Sequence, residues 1–132
     1  MAKLIHTMIR VKDLDRSLKF YQSAFGFEPS HRLDFPDFSL VYLRNAEADN
    51  EIELTWNKGR EDDYSHGDGY GHVAFVVDDV KGERERLIQL GMTPNDVREF
   101  KNDDGALLAR YFFIQDPDGY KVEVLERHGH YQ

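Results

Sequence analysis

HTMIRVKDLDRSL, residues 6–18, and HVAFVVDDVKGER, residues 72–84, carry one pattern twice. A shift of 66 residues lays His6 on His72, Val11 on Val77, Asp13 on Asp79 and Leu14 on Val80. In the first copy Ile5, Thr7, Ile9 and Val11 share one strand face and His6, Met8 and Arg10 the other, the period-two signature of a half-buried strand. Asp13 then has the character of an N-cap, because its carboxylate can accept from backbone N–H groups that the first helical turn leaves unpaired. Leu14, Leu18, Tyr21 and Phe25 follow at helical spacing, and Gly26 closes the helix. Beyond it, SLVYL (39–43) and EIELTW (51–56) read as strands joined by the polar turn NAEADN.

The second copy keeps that order. GHVAFVV (71–77) reads as a strand, Asp79 as the cap, and Val80, Leu87 and Ile88 as the buried stripe of a helix that ends at Gly91. ARYFFIQ (109–115) and KVEVLE (121–126) are strands around DPDGY, a turn whose Gly accepts positive φ. Residues 28–38 show no clear period, and 93–108, with KNDDG, reads as a mobile loop. The polar, Gly-rich segment REDDYSHGDGYG (60–71) joins the halves. The expectation is one α+β domain of two modules, about residues 1–60 and 68–127, sharing a core.

Composition narrows the functions. A chain of 132 residues with 40% hydrophobic content suffices for such a core. A net charge of −8 argues against nonspecific binding to nucleic acid or anionic membrane. No segment approaches the roughly 20 apolar residues of a membrane span, and MAKLIHTMIRV lacks the long apolar stretch of a secretory leader. The lack of Cys excludes disulfides, thiolate metal sites and thiol nucleophiles, and fits a cytoplasmic protein.

Each copy also contributes a Glu inside an apolar strand, Glu53 in EIELTW and Glu123 in KVEVLE. Parity sets both on the face opposite the bulkier apolar set, and sets His72 beside the small Ala74. Singly, a strand His is more often a hydrogen-bonded structural residue than a ligand, and a strand Glu is usually its wet face. The matched recurrence of both types favours a metal site of His6, Glu53, His72 and Glu123. Two imidazoles and two carboxylates suit Ni²⁺, Co²⁺, Mn²⁺, Fe²⁺ or Zn²⁺ rather than Cu(I) or Ca²⁺. Such an ion can act as a Lewis acid while a displaced carboxylate moves a proton.

Arg10 lies on the His6 face, where it either clamps a substrate carboxylate or forms a salt bridge. Asn57 continues the Glu53 parity, as a substrate contact or as a turn residue. His31, His66, His128 and His130 have no partner in the repeat and read as surface residues, with the HGHYQ tail frayed. Lys101 and Arg110 are cations within reach of an anionic substrate that no spacing rule supports, and DPDG reads as only a turn.

HTMIRVKDLDRSLKFY, EIELTWNKG, YGHVAFVVDDV and QDPDGYKVEVLE together resemble the glyoxalase I (lactoylglutathione lyase) family of the vicinal oxygen chelate superfamily. The resemblance implies tandem βαβββ modules whose curved mixed sheets form a metal-binding trough. It implies isomerisation of the methylglyoxal–glutathione hemithioacetal to S-lactoylglutathione, by proton transfer through a metal-bound enediolate. His6, Glu53, His72 and Glu123 match the family's ligands, Glu123 its principal base and Glu53 the symmetric carboxylate. Arg10 and Asn57 match positions that hold glutathione. The resemblance further implies a homodimer whose metal sites are shared, His6 and Glu53 of one chain meeting His72 and Glu123 of the other. The compact chain resembles the form that prefers Ni²⁺ or Co²⁺, with Zn²⁺ the alternative. Two departures stand out: Asp68 replaces a basic residue found in longer relatives, and DVREFKNDDGALLAR (96–110) is longer and more acidic than the usual loop. The alternatives are another enzyme of the superfamily (an epimerase, a thiol transferase or a dioxygenase) or a metal-free small-molecule binder.

Overall fold

The computed structural model describes residues 1–132, which divide into two compact units, Met1–His66 and Gly67–Gln132. The first runs β1 (His6–Val11), α1 (Leu14–Phe25), β2 (Glu28–Asp34), β3 (Phe38–Arg44) and β4 (Glu51–Asn57), with sheet order β1-β4-β3-β2. The second runs β5 (Val73–Val77), α2 (Val80–Gln89), β6 (Arg98–Lys101), β7 (Leu107–Gln115) and β8 (Lys121–Glu126), with order β5-β8-β7-β6. Each unit is therefore βαβββ. The first strand pairs in parallel with the last, and the other neighbours are antiparallel. The α+β reading holds.

The caps act as the sequence requires. Asp13 accepts from the Arg16 N–H and Asp79 from the Gly82 N–H, each satisfying a donor that the helix start leaves unpaired. Gly26 ends α1 at φ 62°, a left-handed conformation that a Cβ would strain. The buried face of α1 is Leu14, Ser17, Phe20, Tyr21 and Ala24, while Leu18 and Phe25 are half-buried. In the first unit the core also takes Ile9, Val11, Val41, Leu43, Ile52 and Leu54 from the sheet. In the second, Val80 and Leu87 of α2 belong with Ala109, Phe112, Ile114, Val122 and Val124. Burial of each Val, Leu, Ile or Phe side chain among them is worth about 1.5–3 kcal/mol.

Two segments depart from the sequence reading. Residues 28–34 form β2 although every one is exposed, so no alternation marks it; the strand exists by pairing with β3. The segment read as a mobile loop contains β6, paired with β7, followed by a tight turn. There the Asn102 side chain accepts from the Asp104 and Ala106 N–H groups, and Gly105 has φ 86°. The C-terminal tail is also held, by a bridge between His128 and Tyr131. No helix is long and apolar enough to cross a membrane.

Candidate metal centre

In the first unit, pairing lines up Met8, Glu53 and Tyr42 across β1, β4 and β3. Alternation puts Ile9, Leu54 and Val41 into the core, which leaves His6, Glu53 and Tyr42 on the opposite face. His6 Nε2 lies 3.2 Å from Glu53 Oε2. The Tyr42 hydroxyl donates to the other oxygen, Glu53 Oε1, at 3.1 Å. The Tyr42 ring meets the His6 ring edge-on, with centroids 5.4 Å apart, and His31 lies on Tyr42 at 5.9 Å. Glu53 is 8% exposed, very low for an acidic side chain off the core face. Burial, followed by the hydrogen bond to Glu53, raises the Tyr42 phenol above its ordinary range. The neighbouring Glu51 accepts from the Ser30 hydroxyl.

The second unit repeats the row with Ala74, Glu123 and Phe113 across β5, β8 and β7. His72 Nε2 lies 3.6 Å from Glu123 Oε1, and its ring meets Phe113 edge-on at 5.3 Å. His72 stands one residue before β5 rather than within it, because pairing with β8 begins at Val73. A cavity of about 340 Å³ is lined by Thr93, Asn95, Phe113, Ile114, Gln115 and Lys121, of which Phe113 is the ring that meets His72. Gln115 and Lys121 are cross-strand partners one step along from Phe113 and Glu123 on the same face.

Arg10 pairs with Thr55 on the His6 face, and Asn57 continues the row of Glu53 at the end of β4. Asn57 Nδ2 donates to the Tyr64 hydroxyl at 3.3 Å. Arg110 is committed elsewhere, to Glu126 at 2.7 Å and Glu99 at 3.1 Å. Those carboxylates hold the guanidinium above its usual range, and Arg110 in turn keeps Glu99 below the ordinary carboxylate value. Lys101 also meets Glu99, at 3.4 Å. DPDG is a turn: Asp116 is buried and its Oδ1 accepts from the Asp118 and Tyr120 N–H groups. His66 is half-buried rather than on the surface, and His128 Nε2 sits 2.9 Å from the Leu107 carbonyl.

Residues 3–124 match the family described as the Glyoxalase/Bleomycin resistance protein/Dioxygenase superfamily. The chain belongs to that superfamily. Within it the chain is 41% identical over 128 residues to a lactoylglutathione lyase of Haemophilus influenzae, covering 94% of this chain and 92% of the relative. It is 38% identical over 132 residues to the lactoylglutathione lyase of Neisseria meningitidis, covering 95% and 91%. The trypanothione-dependent glyoxalase I of Leishmania major superposes with a TM-score of 0.77 at 34% identity, covering 96% of this chain and 87% of that one. This glyoxalase-superfamily chain therefore stands with the lactoylglutathione lyases, and the βαβββ repeat is the family's own.

Can the donors of this superfamily member hold a divalent ion? Two ligands about 2.1 Å from one cation lie about 3.0 Å apart at a right angle and about 3.4 Å apart at a tetrahedral angle. The observed 3.2 and 3.6 Å fall close to that spacing. Each pair offers one N and one O donor, the set that borderline divalent metals take. No group of three or more His, Asp or Glu side chains of the single chain is placed to hold a metal, so the four residues come as two pairs. Tyr42, Phe113 and Lys121 escaped the sequence reading. The turns NAEADN and DPDG nevertheless fix both hairpin registers, and counting back from each sets Tyr42 opposite Glu53 and Phe113 opposite Glu123.

Proposed function

We propose that this protein is a metal-dependent glyoxalase I that converts the hemithioacetal of methylglyoxal and glutathione into S-lactoylglutathione. The observation that carries the reading is the repeated His–Glu pair, at 3.2 Å in one unit and 3.6 Å in the other, on two matched sheets. Its similarity to lactoylglutathione lyases over nine-tenths of the chain supports the substrate class.

His6, Glu53, His72 and Glu123 would hold one divalent ion, Ni²⁺ or Co²⁺ in preference to Zn²⁺. When bound, the ion supplies Lewis-acid polarisation of the substrate's vicinal oxygens. The protein's part is proton transfer and positioning. The Glu123 carboxylate removes the proton from C1 of the hemithioacetal and delivers it to C2, with Glu53 as its symmetric partner. Arg10 and Asn57, on the His6 and Glu53 face, bind the anionic and amide groups of the thiol peptide. Lys121, beside Glu123 on the cavity wall, adds a cation for the same peptide. The modules form one domain, and the protein acts in the cytoplasm.

The working unit is a homodimer in which His6 and Glu53 of one protomer meet His72 and Glu123 of its partner. Two features support assembly. β1 and β5 are edge strands, each paired on one side only. Just ahead of β1, Leu4 is 70% and Ile5 58% exposed, apolar surface of the kind that proteins usually cover.

The test is thioester formation by chelator-stripped protein reloaded with Ni²⁺, Co²⁺ or Zn²⁺ and given methylglyoxal with glutathione or another thiol. Glutathione with Ni²⁺ or Co²⁺ gives the fastest turnover on this reading. A lack of thioester with every metal and thiol rejects it.

A further inference from the structure

The two half-sites differ at one hydroxyl that faces the carboxylate. His6 and His72 each meet an aromatic ring edge-on, with centroids 5.4 and 5.3 Å apart and interplanar angles of 72° and 78°. Those rings stand in the same place, Tyr42 opposite Glu53 on β3 and Phe113 opposite Glu123 on β7. Tyr42 carries a hydroxyl and gives it to Glu53 Oε1 at 3.1 Å, while Glu53 Oε2 faces His6. Phe113 has nothing to give. Glu123 touches His72 at 3.6 Å through Oε1, and neither of its oxygens accepts a hydrogen bond from another side chain. Burial follows the same division: Glu53 is buried and Glu123 half-buried.

Resting on the function proposed above, we propose that Tyr42 is a positioning residue. Its hydroxyl clamps Glu53 as a fixed ligand, and the bare face of Phe113 leaves Glu123 as the carboxylate free to swing and carry the proton. The physical reason is the cost of motion. If Glu53 turned away, it would give up a hydrogen bond to its charged oxygen and strand a phenol in a half-buried place. Hydrogen bonds from the protein to a ligating carboxylate fix its orientation in the same way that partners orient a ligating imidazole. Glu123 pays no such cost. The repeat supplies two chemically equal carboxylates, and one hydroxyl makes them unequal: Glu53 holds while Glu123 moves.

Three proteins test the clamp: Tyr42→Phe, Glu123→Gln and the double variant. Each is read by Co²⁺ titration, followed by the ion's visible absorption, and by steady-state thioester formation. Tyr42→Phe is expected to weaken Co²⁺ binding about tenfold or more, the usual cost of losing a partner that orients a ligand. The double variant is expected to be about tenfold or more faster than Glu123→Gln alone, because a released Glu53 can take over the proton. A merely structural Tyr42 would give no such gain. Unchanged Co²⁺ affinity in Tyr42→Phe, or a double variant no faster than Glu123→Gln, overturns the clamp. Should Tyr42→Phe fail to fold, Phe113→Tyr asks the converse: a lower kcat with Co²⁺ binding no weaker than wild type upholds the clamp, and an unchanged kcat or weaker Co²⁺ binding overturns it. Wild-type protein that binds Co²⁺ but makes no thioester defeats the proposed reaction alone, since the affinity comparison still judges the clamp. Wild-type protein that takes up no Co²⁺ defeats both.

Discussion

Glu123 differs from the other candidate ligands in what its loss should do. Glu123→Gln keeps the shape and one oxygen donor but removes the carboxylate proposed as the base, so kcat should fall by about 10²–10⁴-fold while Co²⁺ affinity falls far less. A near wild-type kcat would remove Glu123 from the proton's path. Arg10 separates its two readings by KM: Arg10→Ala raises KM for the glutathione adduct about tenfold or more if the guanidinium binds a carboxylate, and leaves it unchanged if Arg10 serves only the fold. Away from the site, Asp34 gives a pH signature. The Ser39 hydroxyl, at 2.6 Å, and then Arg32 hold its carboxyl below the ordinary carboxylate value. A folded-state value below the unfolded one means that the stabilisation is fully present above the unfolded value, and is lost as pH falls through the lowered one. Ser39→Ala should therefore shrink the loss of stability on acidification in that window, measured by denaturant melts across the acid range. An unchanged acid limb would deny Asp34 that role. At this scale the sequence displayed types and matched spacing, so the pairing of His6 with Glu53 and of His72 with Glu123 was legible. The partner of each carboxylate was not, because a hydroxyl on Tyr42 matters only once strand register puts it opposite Glu53.

Elements with local chemistry were legible, and elements made by pairing were not. Asp13 and Asp79 announce their helices because a capping carboxylate acts within three residues of itself. The β7–β8 hairpin is announced by DPDG for the same reason. EPSHRLD shows no alternation, since all of β2 is exposed, and its strand character comes from β3 alongside it. REFK of β6 is equally exposed and equally dependent on β7. His72 marks the limit of parity reasoning: the pattern of GHVAFVV runs through it, but ladder pairing starts one residue later. The two local devices should differ in cost. Asp13→Ala loses one exposed capping bond, about 1 kcal/mol. Asp116→Ala leaves two backbone N–H groups at a buried turn without their acceptor, about 2–4 kcal/mol at roughly 1–3 kcal/mol per buried group with some recovery from water. Urea melts of the two variants check the order, and an Asp116→Ala variant as stable as Asp13→Ala would contradict it.

At the scale of the molecule, duplication is the feature from which the rest follows. A module that builds one His–Glu pair, repeated, yields two pairs in matched sheets, and neither pair alone has the three or four donors that a tightly held divalent ion needs. The repeat was legible because the strand–cap–helix signature recurs at a fixed shift; how the two pairs would meet at one ion was not, because that depends on which chain supplies each pair. If His6 and Glu53 of one protomer complete the site of its partner, two inactive proteins can repair one another. Mixing His6→Ala with Glu123→Gln under conditions of subunit exchange makes dimers with one site doubly broken and the other intact. Thioester formation after mixing is the most direct measurement: recovery towards roughly a quarter of wild-type activity, the value for random pairing of two chains in a twofold dimer, is the predicted result. An inactive mixture, after exchange has been confirmed, would contradict it.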